Sequence, residues 1–221
     1  MGNRVVAIDG PSASGKSTVA RMVAAELGWL YVDSGALYRA VTWKALDEGI
    51  DTAEGAAVAE LVQRLKPQFR VENGAVVFQP DGIALDRELR TERINRNVSP
   101  VAAEPTVRRY VTGWLRDMLE LGNLVMEGRD IGTAVFVDTD LKFYLDASPE
   151  ERARRRHAEM ETIESMSVKD VHESLSRRDE IDSRRMTAPL HVAEDAHVID
   201  STTMNAAEVT ALIVEQVEQS H

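Results

Sequence analysis

The sequence contains no cysteine. Disulfides and thiolate metal centres are therefore excluded, and the composition suits a reducing compartment, so a cytoplasmic location is expected. No apolar run is long enough for a signal peptide or a membrane span. The Met1-Gly2 start lacks the Ser or Thr that N-myristoylation requires, because Val6 stands at that place. Positive charge is scarce: 26 Lys and Arg face 37 Asp and Glu, for a net charge of −11. General affinity for nucleic acid or anionic membranes is thereby disfavoured, and an anionic ligand must be met by local clusters of arginine. Internal repeats and low-complexity tails are also missing. The 221 residues, 43% hydrophobic and 29% charged, are expected to form one soluble domain with a substantial core and small mobile appendages, acting as a monomer.

The most informative stretch is Gly10-Pro11-Ser12-Ala13-Ser14-Gly15-Lys16-Ser17-Thr18, which follows the apolar run Val5 to Ile8 and opens a helical pattern from Val19 to Leu27. Strand, glycine loop and helix in that order form the context of a P-loop. Two glycines let the backbone curl its N–H groups around phosphate oxygens, and the helix N-terminus adds partial positive charge. Lys16 is placed to reach the β and γ phosphates and Ser17 to ligate Mg²⁺.

Further along, Gly28 is a natural C-cap, and Trp29 to Val32 reads as a buried strand delivering Asp33-Ser34-Gly35-Ala36-Leu37-Tyr38-Arg39 to its carboxyl end. Asp33 and Ser34 are candidates for capping the helix that follows, over Ala36 to Leu46, for ligand contact, or for both. A helix is expected from Asp51 to Leu65, ended by Lys66-Pro67, and short apolar runs around Asn73-Gly74 predict a small antiparallel β element within 68–85. The charged stretch Arg87 to Arg96 reads as a solvated helix face. Ser99-Pro100 precedes a long amphipathic helix, Ala102 to Leu121, with Trp114 and Met118 in the core. Leu124 to Met126 forms the next buried strand and delivers Glu127-Gly128-Arg129-Asp130; Leu141 to Leu145 forms another.

Ser148-Pro149-Glu150-Glu151 has the form of a capping box with Pro at the first helical position. The helix it opens carries Arg152, Arg154, Arg155 and Arg156, suited either to ligand contact or to pairing with Glu150, Glu151 and Glu159. A polar, methionine-bearing stretch from His157 to Ser167 joins it to a helix over Val168 to Arg178, followed by a charge group through Arg185. A last strand, Ala196 to Ile199, precedes a helix capped by Asn205 and Glu208.

A P-loop implies a nucleoside triphosphate without saying where the γ phosphate goes. No Asn-Lys-x-Asp guanine reader is present, and the expected strand ends carry mixed acid and arginine sets where a mechanical ATPase keeps one carboxylate. Arginine suits bidentate phosphate recognition, whereas aspartate suits sugar hydroxyls and exocyclic amines. Together they describe a second anionic, hydroxyl-bearing substrate and so a small-molecule kinase. Kinases of UMP or of a non-nucleotide such as shikimate, and an ATP-sensing regulatory module, are the alternatives.

Gly10 to Thr18, Asp33 to Arg39, Gly128-Arg129-Asp130-Ile131-Gly132-Thr133 and Arg178-Asp179 to Leu190 together resemble the successive motifs of the bacterial cytidylate kinases, and the likeness runs nearly end to end. The resemblance implies a three-layer α/β/α P-loop NTPase fold with a central parallel sheet. It further implies a core at about 1–38, 101–150 and 186–221, a monophosphate-binding region with a β insert at about 39–100, and a mobile lid at about 151–185. ATP would be the donor, with Mg²⁺, and CMP or dCMP the acceptor. Carried over by position, Gly10, Ser12, Ala13, Ser14, Gly15, Lys16, Ser17 and Thr18 surround the ATP phosphates, with Ser17 on the metal. Ser34, Arg39, Arg129 and Arg185 lie around the CMP phosphate, Arg178 and Asp182 at the ribose, and Ser99, Arg108 and Asp130 at cytosine. Arg152, Arg155 and Arg156 are lid arginines over the ATP phosphates, so that Lys16, Arg129, Arg155, Arg156 and Arg185 form the catalytic set. Ile181 stands where some relatives carry a further arginine.

Overall fold

The apolar run after Arg4 forms strand β1 (Val5–Asp9) in a computed structural model that describes residues 2–160 and 167–220. Val5 and Ala7 enter one core and Val6 and Ile8 another, on opposite faces of the strand. A strand covered on both faces needs this continuous apolar run. The remaining elements are α1 (Lys16–Leu27), β2 (Leu30–Asp33), α2 (Ser34–Asp47), α3 (Gly55–Arg64), β3 (Pro67–Glu72), β4 (Ala75–Pro80), α4 (Glu92–Ala103) and α5 (Pro105–Asp117). After them come β5 (Leu124–Gly128), β6 (Lys142–Asp146), α6 (Pro149–Met160), α7 (Val168–Ser183), β7 (His197–Asp200) and α8 (Ala206–Gln219).

The strands among the described residues form one sheet in the order β3-β4-β2-β5-β1-β6-β7. All neighbours are parallel except the β3–β4 pair. Helices α2 to α5 supply Leu37, Val62, Val101 and Val111 to the core on one face. On the other face α1 and α8 supply Val19, Val23, Ile213 and Val217. This is the three-layer P-loop architecture expected from the sequence, and its parallel strands bring Asp9, Asp33 and Glu127 to neighbouring carboxyl ends. Among the described residues no helix is long and apolar enough to cross a membrane.

Of the two capping candidates Asp33 takes the role for α2, its side chain accepting from the Ala36 amide at 3.0 Å. Several other local expectations are corrected. The helix expected from Asp51 begins at Gly55. Pro100 lies inside α4, and the chain breaks instead at Glu104-Pro105, where Glu104 accepts from the Thr106 amide and Pro105 starts α5. Burial of Ile94, Val98, Val101 and Ala102 holds α4 against α2 and outweighs the one backbone hydrogen bond that proline removes. The α5 pattern itself ends at Asp117, and Met118–Leu121 is a 3₁₀ turn. The Ser148 box forms by half: the Glu151 amide donates to Ser148 Oγ, but the Ser148 amide donates to Thr202 Oγ1 while Glu151 turns to Arg154 and Arg155. Residues 161–166 of the stretch joining α6 to α7 lie outside the described residues.

The hairpin around Asn73-Gly74 is present, but it is no separate element. Tyr31 of β2 donates its amide to the Gly74 carbonyl at 2.9 Å, so β4 extends the central sheet and β3 becomes its edge. Phe78 of β4 stacks on Trp114 of α5 with ring centroids 5.5 Å apart, which locks the hairpin to the helical layer. Trp114 is 7% exposed. Trp114→Ala is expected to lower unfolding free energy by about 3–5 kcal/mol, read as a reduced denaturation midpoint; a loss below about 1 kcal/mol would show that the stack does not anchor the hairpin.

Candidate active site

The phosphate loop leaves β1 at Gly10, whose φ of 149° and position against the Leu145 carbonyl leave no room for a Cβ. Gly15, at φ 95°, turns the loop into the N-terminus of α1. Lys16 is folded back into the loop, where Nζ donates to the Pro11 carbonyl at 2.5 Å and to Ser14 Oγ at 3.2 Å. Burial pushes its pKa down to about 7; Arg129 pushes the same way, against Glu127 and Asp179.

Ser17 Oγ donates to Glu127 Oε1 at 2.5 Å, and Tyr31 Oη donates to the same oxygen at 3.2 Å. Burial raises the pKa of the Glu127 carboxyl, with Asp33 adding to the effect. Ser34 Oγ donates to the Glu127 carbonyl at 2.7 Å. On the neighbouring strand both Asp9 carboxylate oxygens accept backbone N–H groups, from Ile131 and Gly132, at 2.8 Å each. Burial raises Asp9 to about 6 against the lowering effect of those two bonds. Asp9 thus ties β1 to the π-helical turn Ile131–Val135 that follows Arg129 and Asp130.

A cavity of about 800 Å³ opens over these strand ends. Its lining includes Lys16, Arg21, Arg39, Arg90, Arg129, Arg156, Arg178 and Arg185 against Asp33, Asp86, Glu127, Asp130 and Asp182. Positive charge therefore dominates this hollow in a chain of net charge −11. Burial pushes Arg178 down to about 9, reinforced by Arg129 and Arg39, and burial lowers Arg39 as well. Cations crowded into a buried hollow favour an anion between them. Arg185 pairs with Asp182, and its buried Nε finds no partner among the described residues. At the deep end Arg108 and Asp130 form a buried ion pair, with Arg108 also donating to the Ala102 carbonyl at 3.0 Å and lying over the Tyr38 ring at 5.4 Å.

The sequence pattern of the family described as Cytidylate kinase matches residues 6–219. The chain belongs to the cytidylate kinase family. It is 43% identical to the cytidylate kinase of Shouchella clausii over 216 residues, covering 97% of this chain and 96% of that protein. The cytidylate kinase of Bacillus subtilis is 40% identical, again over 97% of this chain and 96% of its own length. In fold the chain is similar to the crystal structure of TT1252 from Thermus thermophilus, at 20% identity and a TM-score of 0.52, with both chains fully covered.

Within this cytidylate kinase family member, the cavity gathers Ser12, Ala13, Gly15, Lys16, Ser17 and Thr18 at one end. Ser34, Arg39, Ser99, Arg129, Asp130, Arg156, Arg178, Asp182 and Arg185 lie around the remainder. Gly10 and Ser14 shape the loop without facing the hollow, and Arg108 acts on it from behind Asp130. Arg152 and Arg155 lie beneath the loop: Arg152 donates to the Ser12 carbonyl and Arg155 to the Ser14 carbonyl, both at 3.2 Å. Arg155 also grips Ser201 and pairs with Glu151. Arg39 donates to Asn95 Oδ1 at 2.6 Å, a partner with no motif to announce it. Sequence gives Asp9 no role and names Asp179 only within the motif that begins at Arg178; the signals are a carboxylate closing an apolar strand and an acid beside Arg178.

The buried ammonium of Lys16 has a measurable consequence. Its folded pKa, about 7, lies below the ordinary 10.5, so between those values the unfolded chain binds the extra proton and nucleotide-free stability rises with pH. Lys16→Met lacks this increment. Urea unfolding from about pH 7 to about pH 9 should show wild-type stability gaining on the variant by about 1 kcal/mol or more; parallel pH profiles would contradict the buried, shifted lysine.

Proposed function

We propose that the chain transfers the γ phosphoryl group of ATP to CMP, and to dCMP, in a single in-line step. The observation that carries this reading is one cavity with the phosphate loop at one end and half-buried arginines around a buried Arg108–Asp130 pair at the other. Arg39, Arg129 and Arg185 would hold the acceptor phosphate, with Ser34 beside it, and the orphaned Nε of Arg185 is a donor ready for such an oxygen. Arg178 and Asp182 would meet the ribose. Ser99, Arg108 and Asp130 would read cytosine, the carboxylate accepting from its exocyclic amine and the guanidinium donating to its ring acceptors.

The residues at the loop suit a magnesium ion, because Ser17 Oγ and the Glu127 carboxylate offer adjacent oxygens of the type that ion prefers. When bound with ATP, magnesium would neutralise charge on the transferring group. Lys16 would leave its partners in the loop for the phosphate oxygens, and the loop amides would cradle them. No side chain need act as a general base, since the acceptor phosphate, with a second pKa of about 6, is already largely ionised at neutral pH. Catalysis reduces to alignment and charge stabilisation. We read 39–100 as the acceptor-binding region and 151–185 as a lid, with Arg156 facing the phosphates and Arg152 and Arg155 setting the loop from below. Both half-sites come from one chain, which supports action as a monomer; the cysteine-free composition supports a cytoplasmic location.

With Mg·ATP and a panel of nucleoside monophosphates, CDP and dCDP are expected to form fastest; equal rates with AMP, or a preference for UMP or shikimate, would overturn the acceptor assignment. Arg185→Ala should reduce kcat/KM for CMP by about 10²-fold or more while ATP affinity stays within about twofold. Near wild-type turnover would remove Arg185 from the acceptor site.

A further inference from the structure

All three polar groups of Ser12 are engaged, each by a different part of the chain. Its amide donates to Asp179 Oδ1 of α7 at 3.0 Å. Its carbonyl accepts from Arg152 Nη1 of α6 at 3.2 Å. Its hydroxyl accepts from Arg129 Nη2, beyond β5, at 2.8 Å. The circuit closes twice: Arg152 pairs with the other oxygen of Asp179, and Arg129 Nε donates to Asp182 Oδ2 at 3.0 Å. Asp179 and Asp182 stand three apart on α7 and therefore project from one helix face. One turn of α7 thus holds the phosphate loop directly through Asp179 and the acceptor-side arginine through Asp182.

We propose that Asp179 is a positioning residue that couples the two nucleotide sites, transmitting the placement of α7 by the acceptor to the phosphate loop at Ser12. The inference rests on the reading of the cavity as an ATP and CMP site. Acceptor binding orders Arg129, Arg178 and Asp182; because Asp179 is rigidly linked to Asp182 by the helix, the same ordering seats the Ser12 amide and carbonyl in the shape that receives a triphosphate. Asp179 faces Arg152 and Ser12 and does not line the cavity, so it acts through the loop and not on substrate. An acceptor-dependent donor affinity also makes chemical sense, since a loop fully formed only beside a bound acceptor is less prone to pass the phosphoryl group to water.

The test is calorimetric titration of a non-hydrolysable β,γ-imido ATP analogue with Mg²⁺, in the absence and in the presence of saturating CMP. In the wild type CMP is expected to tighten analogue binding by about fivefold or more. Asp179→Ala should bring that ratio to within about twofold of unity while CMP affinity measured alone changes less than about threefold. A ratio unchanged by the substitution, a wild-type ratio already near unity, or tighter analogue binding by the variant in the absence of CMP would each overturn the proposal. The last outcome would mark Asp179 as a carboxylate that blocks the loop. Should the alanine variant be unfolded at the assay temperature, the similarly sized Asp179→Leu is titrated in its place; it removes both the acceptor facing the Ser12 amide and the charge facing Arg152, and the same ratio decides. Wild-type turnover of CMP, assayed alongside, separates the two readings: its absence refutes the kinase assignment, whereas turnover with an unaltered ratio refutes only the role of Asp179.

Discussion

The Asp9 carboxylate spans the two halves of the cavity. It ends β1 immediately before the phosphate loop, and its two oxygens accept the Ile131 and Gly132 amides of the turn that follows Arg129 and Asp130. The phosphate loop and the Arg129–Asp130 segment are therefore spaced by two hydrogen bonds in a buried site, where competing water is excluded and a misplaced amide would remain unsatisfied. Burial raises the pKa of this carboxyl, and the two amides oppose that rise. The tie adds to the β1–β5 pairing, which sets Asp9 opposite Gly128, and to the direct Arg129–Ser12 hydrogen bond in keeping the two segments together.

A second constraint is the mixture of buried charge. The chain carries a net charge of −11, yet its cavity gathers arginines that are desolvated and that repel one another. Such an arrangement lowers stability in the ligand-free state and is tolerated where function needs it. Carboxylates offset the repulsion in pairs: Asp182 between Arg129 and Arg185, Asp130 against Arg108, Asp179 against Arg152. These pairs also orient the guanidinium groups. The cost of assembling them is met by the two apolar cores that sandwich the sheet.

The arginines of α6 divide their work. Arg156 faces the cavity, whereas Arg152 and Arg155 hold backbone carbonyls of the phosphate loop from the side away from it. Arg152, Arg155 and Arg156 stand three and four residues apart and so leave one broad face of α6; the partners that their long side chains reach separate their tasks. A run of like residues in sequence is thus no guide to a shared task.

Local chemistry was enough to determine much of this protein from its sequence. The glycine loop, the buried strands, the Asn73-Gly74 hairpin and the Asn205 cap are encoded within a few residues of one another, in apolar periodicity, turn propensity and capping. The motifs around Arg39, Arg129 and Arg185 likewise pointed to a second, anionic substrate. What only the tertiary structure decided was long-range. The hairpin joins the main sheet because Tyr31 offers a free edge; Pro100 stays helical because α4 is buried against α2. Asp9, Glu127 and Asp179 acquire partners 93 to 167 residues distant along the chain. A carboxylate has the same sequence signature whether it is solvated or buried, so the identity of its partner depends on how parallel strands and packed helices bring remote segments together.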